Sequence, residues 1–268
     1  MAEKPSKQFN FIPSTHGIHA VNAIVVQLVV RHLAKVEVAG SSPVYRFFVM
    51  QKPNRRNFVM TDKEMKLARY REANKTAQCG ETVFAGSSLM EMFPINKFLE
   101  ESGSDKIIYN RGVGGFVSEE LWNALDTCIL DLKPSRLFIN IGTNDLSDPS
   151  IPITGMIATY DKILTTVEQK LPDVRIYLMA YYPINYDAAT DAMKECLRIR
   201  TNEKITLANA EVAALAARHG QRYIDVNKNL KDGQGRLKSE YTIEGMHINE
   251  DGYRAIFGDI MSYVNEPA

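Results

Sequence analysis

Ser88 lies in the segment FAGSSLME, where a sharp turn out of a strand would leave a hydroxyl projecting at the start of a helix, surrounded by N–H groups. His247 lies in YTIEGMHINEDGY, three residues after Glu244, a spacing at which the carboxylate can orient the imidazole and the imidazole can act as a base. Two further segments could supply donors to a developing oxyanion. In NRGVGG, Gly115 has no side chain to keep a ligand oxygen away from its backbone N–H. In INIGTNDLSD, Asn144 offers a carboxamide, and such a donor is typically worth about 2.7–4 kcal/mol at a transition state. Taken singly these are ordinary features: Gly-Ser-Ser and Asn-Asp are common turns, glycine runs close tight loops, and a lone histidine near a helix start is usually structural. Their joint chemistry would be attack of a hydroxyl on a carbonyl carbon.

The elements that must position these residues can be read from Thr82 onward. Short, nearly continuous apolar runs at Thr82–Ala85, Lys106–Tyr109, Arg136–Ile141, Val174–Ala180 and Arg222–Val226 read as strands buried on both faces. Helical patterns fall between them, at Ser118–Leu132, Ile153–Lys170 and Asp187–His219, with a last one at Asn249–Val264. Glu119 and Glu120 after Ser118 suit a helix start, and Gly220 after His219 suits a stop. This alternation predicts an α/β protein, a parallel sheet with helices on both faces. Ligands of such sheets bind at the carboxyl ends of the strands. Three of the four segments follow a strand and the fourth precedes the last helix.

In this order and placement, GSSL, NRGVGG, GTND and EGMH resemble the four blocks of the SGNH hydrolase superfamily, which includes the GDSL-type lipases and esterases. The resemblance covers about Glu81 to Val264. It implies a three-layer α/β/α, flavodoxin-like fold on a five-stranded parallel sheet. It also implies Ser88 as nucleophile, His247 as general base with Glu244 orienting it, and an oxyanion hole of Ser88 N–H, Gly115 N–H and Asn144. The reaction implied is hydrolysis of a carboxylic ester through an acyl-serine, without cofactor. Two positions depart from the family pattern. Ser87 stands where aspartate is usual, which puts the rigidity of the turn in question; Glu244 also stands where aspartate is usual, which keeps a carboxylate one methylene longer.

No long insertion separates the blocks, and the layout is similar to the short acetylhydrolase-like members, so the expected substrates are small-molecule or carbohydrate esters with short acyl chains. An O-acetyltransferase using the same serine, a lysophospholipase or a thioesterase are the alternatives. The loop Ala180–Asn185 (AYYPIN) should overhang the site, its tyrosines either stacking on a sugar or capping the core.

Lys+Arg and Asp+Glu balance at 32 each, giving no footprint of a nucleic-acid binder. Neither the three cysteines (Cys79, Cys128, Cys196) nor the five histidines have metal-ligand spacing; the odd, scattered cysteines suit reduced thiols and a cytoplasmic location, with secretion left open. The apolar run Ala23–Val30 is too short to span a bilayer, so no stable membrane insertion is expected. Residues 1–60 differ in character from the rest. QLVVRHLAKVEVAGSSPVYRF resembles a transfer-RNA gene translated in error, which would place the start at Met50 or Met60. The expected organisation is an N-terminal extension, 1–60, either disordered, not genuine or a packed arm, and a hydrolase domain, 61–268.

Overall fold

The computed structural model describes residues 60–267, so the expectations for residues 1–59 lie outside the described residues. In chain order the elements are α1 (Asp62–Asn74), β1 (Thr82–Gly86), α2 (Ser88–Glu91), α3 (Ile95–Glu101), β2 (Ile108–Gly112), α4 (Ser118–Asn123), α5 (Leu125–Cys128), β3 (Arg136–Asn140), α6 (Ile153–Lys170), β4 (Arg175–Met179), α7 (Asp191–Ile199), α8 (Asn202–Arg218), β5 (Arg222–Ile224) and α9 (Glu250–Val264). The five strands form one sheet in the order β2-β1-β3-β4-β5, and every pairing is parallel. The expected α/β fold on a five-stranded parallel sheet is what forms. In this order the direction of chain progression reverses at β1 and β3, and the crevice beyond their carboxyl ends is where such sheets bind ligands.

Alternation along the strands sends side chains to two faces. Phe84, Phe138 and Tyr177 are register partners on one face, with ring centroids 5.0 and 4.5 Å apart. They join a core with Phe93 and Phe98 and with Tyr253, Ile256 and Ile260 of α9. The intervening residues Val83, Leu137, Ile139 and Leu178 are buried on the opposite face, where Tyr160 of α6 donates to the Ile139 carbonyl at 3.2 Å.

Three expected elements are corrected. The strand expected at Lys106–Tyr109 runs from Ile108 to Gly112, because its polar residues are used inside it. Asn110 donates to the Met90 carbonyl at 2.5 Å, and the Arg111 guanidinium lies over the rings of Tyr70 and Tyr109. The helix expected over Ser118–Leu132 breaks into α4, α5 and a 3-10 turn; the Thr127 carbonyl, which a continuous helix would use, accepts instead from Asn74 Nδ2 at 2.8 Å. The helix expected over Asp187–His219 begins only at Asp191 and splits into α7 and α8 at Arg200 and Thr201. Thr201 caps α8 by accepting from Lys204 N at 3.2 Å, and Arg200 turns its side chain into the protein. Helix α1 was not expected at all. None of its residues is buried, so it has no apolar face to read, although Thr61 and Glu64 form a capping box at its start.

Behind the sheet, His219 at the end of α8 bridges Glu168 (Nδ1, 2.9 Å) and Asp161 (Nε2, 3.0 Å) of α6. Burial alone would lower its pKa, but the hydrogen bonds and charges of Glu168 and Asp161 outweigh it and raise the imidazole above its ordinary value. A raised folded-state pKa contributes stability that is fully present below the unfolded value and is lost as pH rises through the folded one. Thermal melts of the wild type and His219→Gln are therefore expected to differ most below about pH 6.5 and to converge at higher pH. A difference that grows with pH would contradict this linkage.

Candidate active site

β1 ends at Gly86, a position that admits no side chain: a Cβ there would lie 2.2 Å from the Asn140 carbonyl oxygen of β3. The chain then turns at Ser87 and enters α2 with Ser88 as its first residue. The turn questioned by the loss of aspartate at 87 is formed by backbone alone, since Met90 N and Glu91 N donate to the Ser87 carbonyl at 3.1 and 2.9 Å. Ser87 Oγ is fully buried and makes no hydrogen bond among the described residues. Gly112 lets β2 close on this turn, for a Cβ there would meet Glu91 N at 2.3 Å.

Ser88 Oγ lies 2.9 Å from His247 Nε2, and His247 Nδ1 lies 2.6 Å from Glu244 Oε1. All three residues are buried, at 5, 4 and 3% exposure respectively. Glu244 Oε1 also accepts the His247 backbone N–H at 3.0 Å, so one oxygen fixes both ring and backbone. With Nδ1–H donated to the carboxylate, Nε2 is the ring nitrogen left to accept from the serine hydroxyl. The loop that carries the pair is closed on itself. Thr242 Oγ1 donates to the His247 carbonyl at 3.0 Å, Ile243 N donates to the same carbonyl at 2.9 Å, and Asn185 N holds the Gly245 carbonyl at 2.7 Å.

The other two candidates stand on adjacent, connected loops. Gly115 follows β2 with φ of +76°, a conformation that favours glycine. Its loop is held on both sides: Gly114 N donates to Glu91 Oε2 at 2.6 Å, and Lys63 Nζ of α1 donates to the Gly115 carbonyl at 2.9 Å. Lys66 of α1 in turn pairs with Glu91 Oε1 at 2.7 Å. Asn144 follows β3 and spends one of its two amide hydrogens on the Phe116 carbonyl, at 2.8 Å. Its Oδ1 accepts from Arg200 at 3.0 Å, and because a guanidinium can only donate, this contact fixes which end of the carboxamide is the NH2. Asp145, buried, accepts from Ser118 N (2.9 Å) and Ser118 Oγ (2.5 Å), stapling the two loops together. Burial raises the Asp145 carboxyl above its ordinary range, against the Ser118 bonds that lower it.

The structure thus brings Ser88, His247 and Glu244 into one hydrogen-bonded line, and connects the Gly115 and Asn144 loops to each other through Phe116. Of the two expectations for the tyrosines after β4, the structure bears out the second: Tyr181 and Tyr182 are buried, and Tyr181 Oη donates to the Ile141 carbonyl at 2.7 Å, so they cap the core. Arg200, Lys63 and Glu91 were not singled out by sequence. They lie outside the recognisable blocks or, for Glu91, act through a contact that only the closed turn creates.

A serine–histidine–carboxylate line at the switch point of a 2-1-3-4-5 parallel sheet is geometry suited to attack on a carboxylic ester. The chain belongs to the GDSL-like lipase/acylhydrolase family, whose sequence model matches residues 93–255. That match begins beyond Ser88. Solved structures extend the likeness in three dimensions. A protein of Streptococcus pneumonia provisionally described as a platelet activating factor is 29% identical, with a TM-score of 0.68 over 76% of this chain and 92% of that one. A GDSL-like lipase from Bacteroides thetaiotaomicron (20% identity, TM-score 0.62, 74% of this chain and 96% of that one) shares the fold. So does an acetyl-xylooligosaccharide esterase from Geobacillus (15%, TM-score 0.55, 72% and 97%). A curated relative, the N-acylneuraminate cytidylyltransferase of Escherichia coli, is 22% identical over 194 residues; these are 71% of this chain and 42% of the relative, so the chain spans about two fifths of it.

Proposed function

We propose that the protein is a serine esterase that hydrolyses short-chain, acetyl-type carboxylic esters. The observation that carries this reading is the buried line Ser88 Oγ–His247 Nε2, His247 Nδ1–Glu244 Oε1, with contacts of 2.9 and 2.6 Å. Ser88 Oγ attacks the ester carbonyl carbon while Nε2 takes its proton, and Glu244 stabilises the imidazolium that results. The carbonyl oxygen, now an oxyanion, is received by Ser88 N–H, Gly115 N–H and the second amide hydrogen of Asn144. Collapse expels the alcohol, which leaves with the proton from His247, and the acyl group remains on Ser88. A water deprotonated by Nε2 then attacks the acyl carbon, releasing the acid and restoring the serine.

Acetyl esters of a carbohydrate or another small alcohol fit a site whose three reacting side chains are almost wholly enclosed, and the likeness to an acetyl-xylooligosaccharide esterase supports that substrate class. Cys79, exposed, and Cys128 and Cys196, buried, are all unpaired, in keeping with a reducing compartment such as the cytoplasm. Among the described residues no helix is long and apolar enough to cross a membrane. A panel of p-nitrophenyl esters from acetate to palmitate, run beside acetylated xylan, tests the reading. Acetate is expected to exceed octanoate in kcat/KM by at least about tenfold, the worth of a few poorly accommodated methylenes. A preference for palmitate would move the assignment to a long-chain lipase, and acetyl transfer to an added sugar in preference to water would make the protein an acetyltransferase.

A further inference from the structure

Arg200 is buried to 2% exposure at the break between α7 and α8, and its three hydrogen bonds among the described residues go to neutral atoms. Nε donates to Ser147 Oγ at 2.7 Å, one terminal nitrogen to Met246 Sδ at 2.7 Å and the other to Asn144 Oδ1 at 3.0 Å. The carboxylates of Asp145 and Glu244 act on it through space, without a hydrogen bond among the described residues. Desolvation lowers its pKa from the usual arginine range, so the site keeps a cation in a place that disfavours cations. A buried ion of this kind is a poor stabilising device, since an apolar side chain of similar volume often serves stability as well or better. Its partners suggest what it is kept for. Asn144 sits on the loop after β3, and Met246 is the residue before His247. One rigid fork therefore ties the carboxamide loop to the histidine loop.

We propose that Arg200 is the positioning residue of the oxyanion hole: it holds the Asn144 carboxamide with its NH2 toward the reacting centre and polarises that amide. This rests on the esterase reading above. A donor fixed on Oδ1 forbids the flipped carboxamide, which would present an oxygen to the oxyanion. Withdrawing electron density from Oδ1 also makes the Nδ2 hydrogens stronger donors, as in any hydrogen-bonded chain. Because the benefit arises when the oxyanion forms, it belongs to kcat and not to KM.

The test is a double-mutant cycle on p-nitrophenyl acetate hydrolysis with Arg200→Met, Arg200→Lys and Asn144→Ala. Asn144→Ala is expected to lower kcat by about 10²–10³-fold. Arg200→Met is expected to lower it by about 30-fold with KM changed by less than about twofold, and to cost under about threefold in the Asn144→Ala background. Arg200→Lys keeps the charge but cannot form the fork, and is expected to lose about tenfold. It carries the cycle if Arg200→Met does not fold. Equal losses with and without Asn144, or a folded Arg200 variant with wild-type kcat, would overturn the proposal. A second readout does not depend on turnover: the Asn144 side-chain NH2 resonances, assigned by their loss in Asn144→Asp, should shift upfield in Arg200→Lys as the amide loses its polarising donor, although the bond to the Phe116 carbonyl remains. If they stay in place the proposal fails even when the enzyme is active. If they move while no Ser88-dependent turnover is found, it is the esterase reading that fails.

Discussion

Replacing Ser88 with alanine is expected to reduce kcat/KM for p-nitrophenyl acetate by roughly 10⁴–10⁶-fold, the scale seen when the nucleophile of a serine triad is removed. The fold should survive the change. The α2 turn is closed by main-chain bonds, including Met92 N to the Ser88 carbonyl at 2.9 Å, and alanine is at home at the start of a helix. What disappears is Oγ, whose partner is His247 Nε2. Activity and melting temperature should therefore separate completely: the first collapses while the second holds. Residual turnover above about 1% of wild type, with the melt unchanged, would show that ester hydrolysis does not run through Ser88.

The second large effect is expected at the base, and its size should contrast sharply with that of the carboxylate behind it. His247→Ala removes the group that takes and returns the proton, and the loss should approach that of Ser88→Ala, because the two act as one unit. Glu244→Gln should cost far less, about 10–100-fold in kcat. A carboxamide in place of a triad carboxylate is most damaging when its NH2 faces the ring and forces the wrong tautomer. Here Glu244 Oε1 accepts two hydrogens, the ring Nδ1–H at 2.6 Å and the backbone N–H of His247 at 3.0 Å. That second donor should keep the glutamine oxygen where the carboxylate oxygen was, so the ring orientation survives and only the charge behind the imidazolium is lost. The other oxygen, Oε2, is buried and makes no hydrogen bond among the described residues, so an NH2 in its place gains no partner there. A modest stability loss, of about 1–3 kcal/mol, should accompany the kinetic one. Losses of equal size in His247→Ala and Glu244→Gln, measured as kcat at saturating substrate, would show that the glutamine turns its NH2 to the ring and reverses the tautomer.

The strands that bear the site were legible because residues buried on both faces leave continuous apolar runs, and the four blocks were legible because turn chemistry restricts residue choice at strand ends. Less legible was anything decided by a distant partner. Asn110 and Arg111 read as turn residues, yet they extend β2 because Met90, Tyr70 and Tyr109 receive them. Arg200 falls inside the single helix expected over Asp187–His219, and only the break before Thr201 turns it inward onto Asn144. For the tyrosines of the fourth strand-end loop, position alone allowed a ligand surface or a core cap, and burial of both rings decides for the cap.

Helix α1 gives the molecule an uneven resistance to loosening. It buries none of its residues and is attached by polar contacts such as Tyr70 Oη to the Gly112 carbonyl at 2.7 Å and the lysine tethers to Gly115 and Glu91. Segments without buried apolar surface open at a small fraction of the global unfolding free energy, and ionic tethers weaken further as salt screens them. The sheet, by contrast, yields only with the whole core. The loop that carries Gly115 therefore has, beside its firm ties to Glu91 and Asn144, one brace from a helix with no buried residue, and that brace is the part expected to come away first on warming or in high salt.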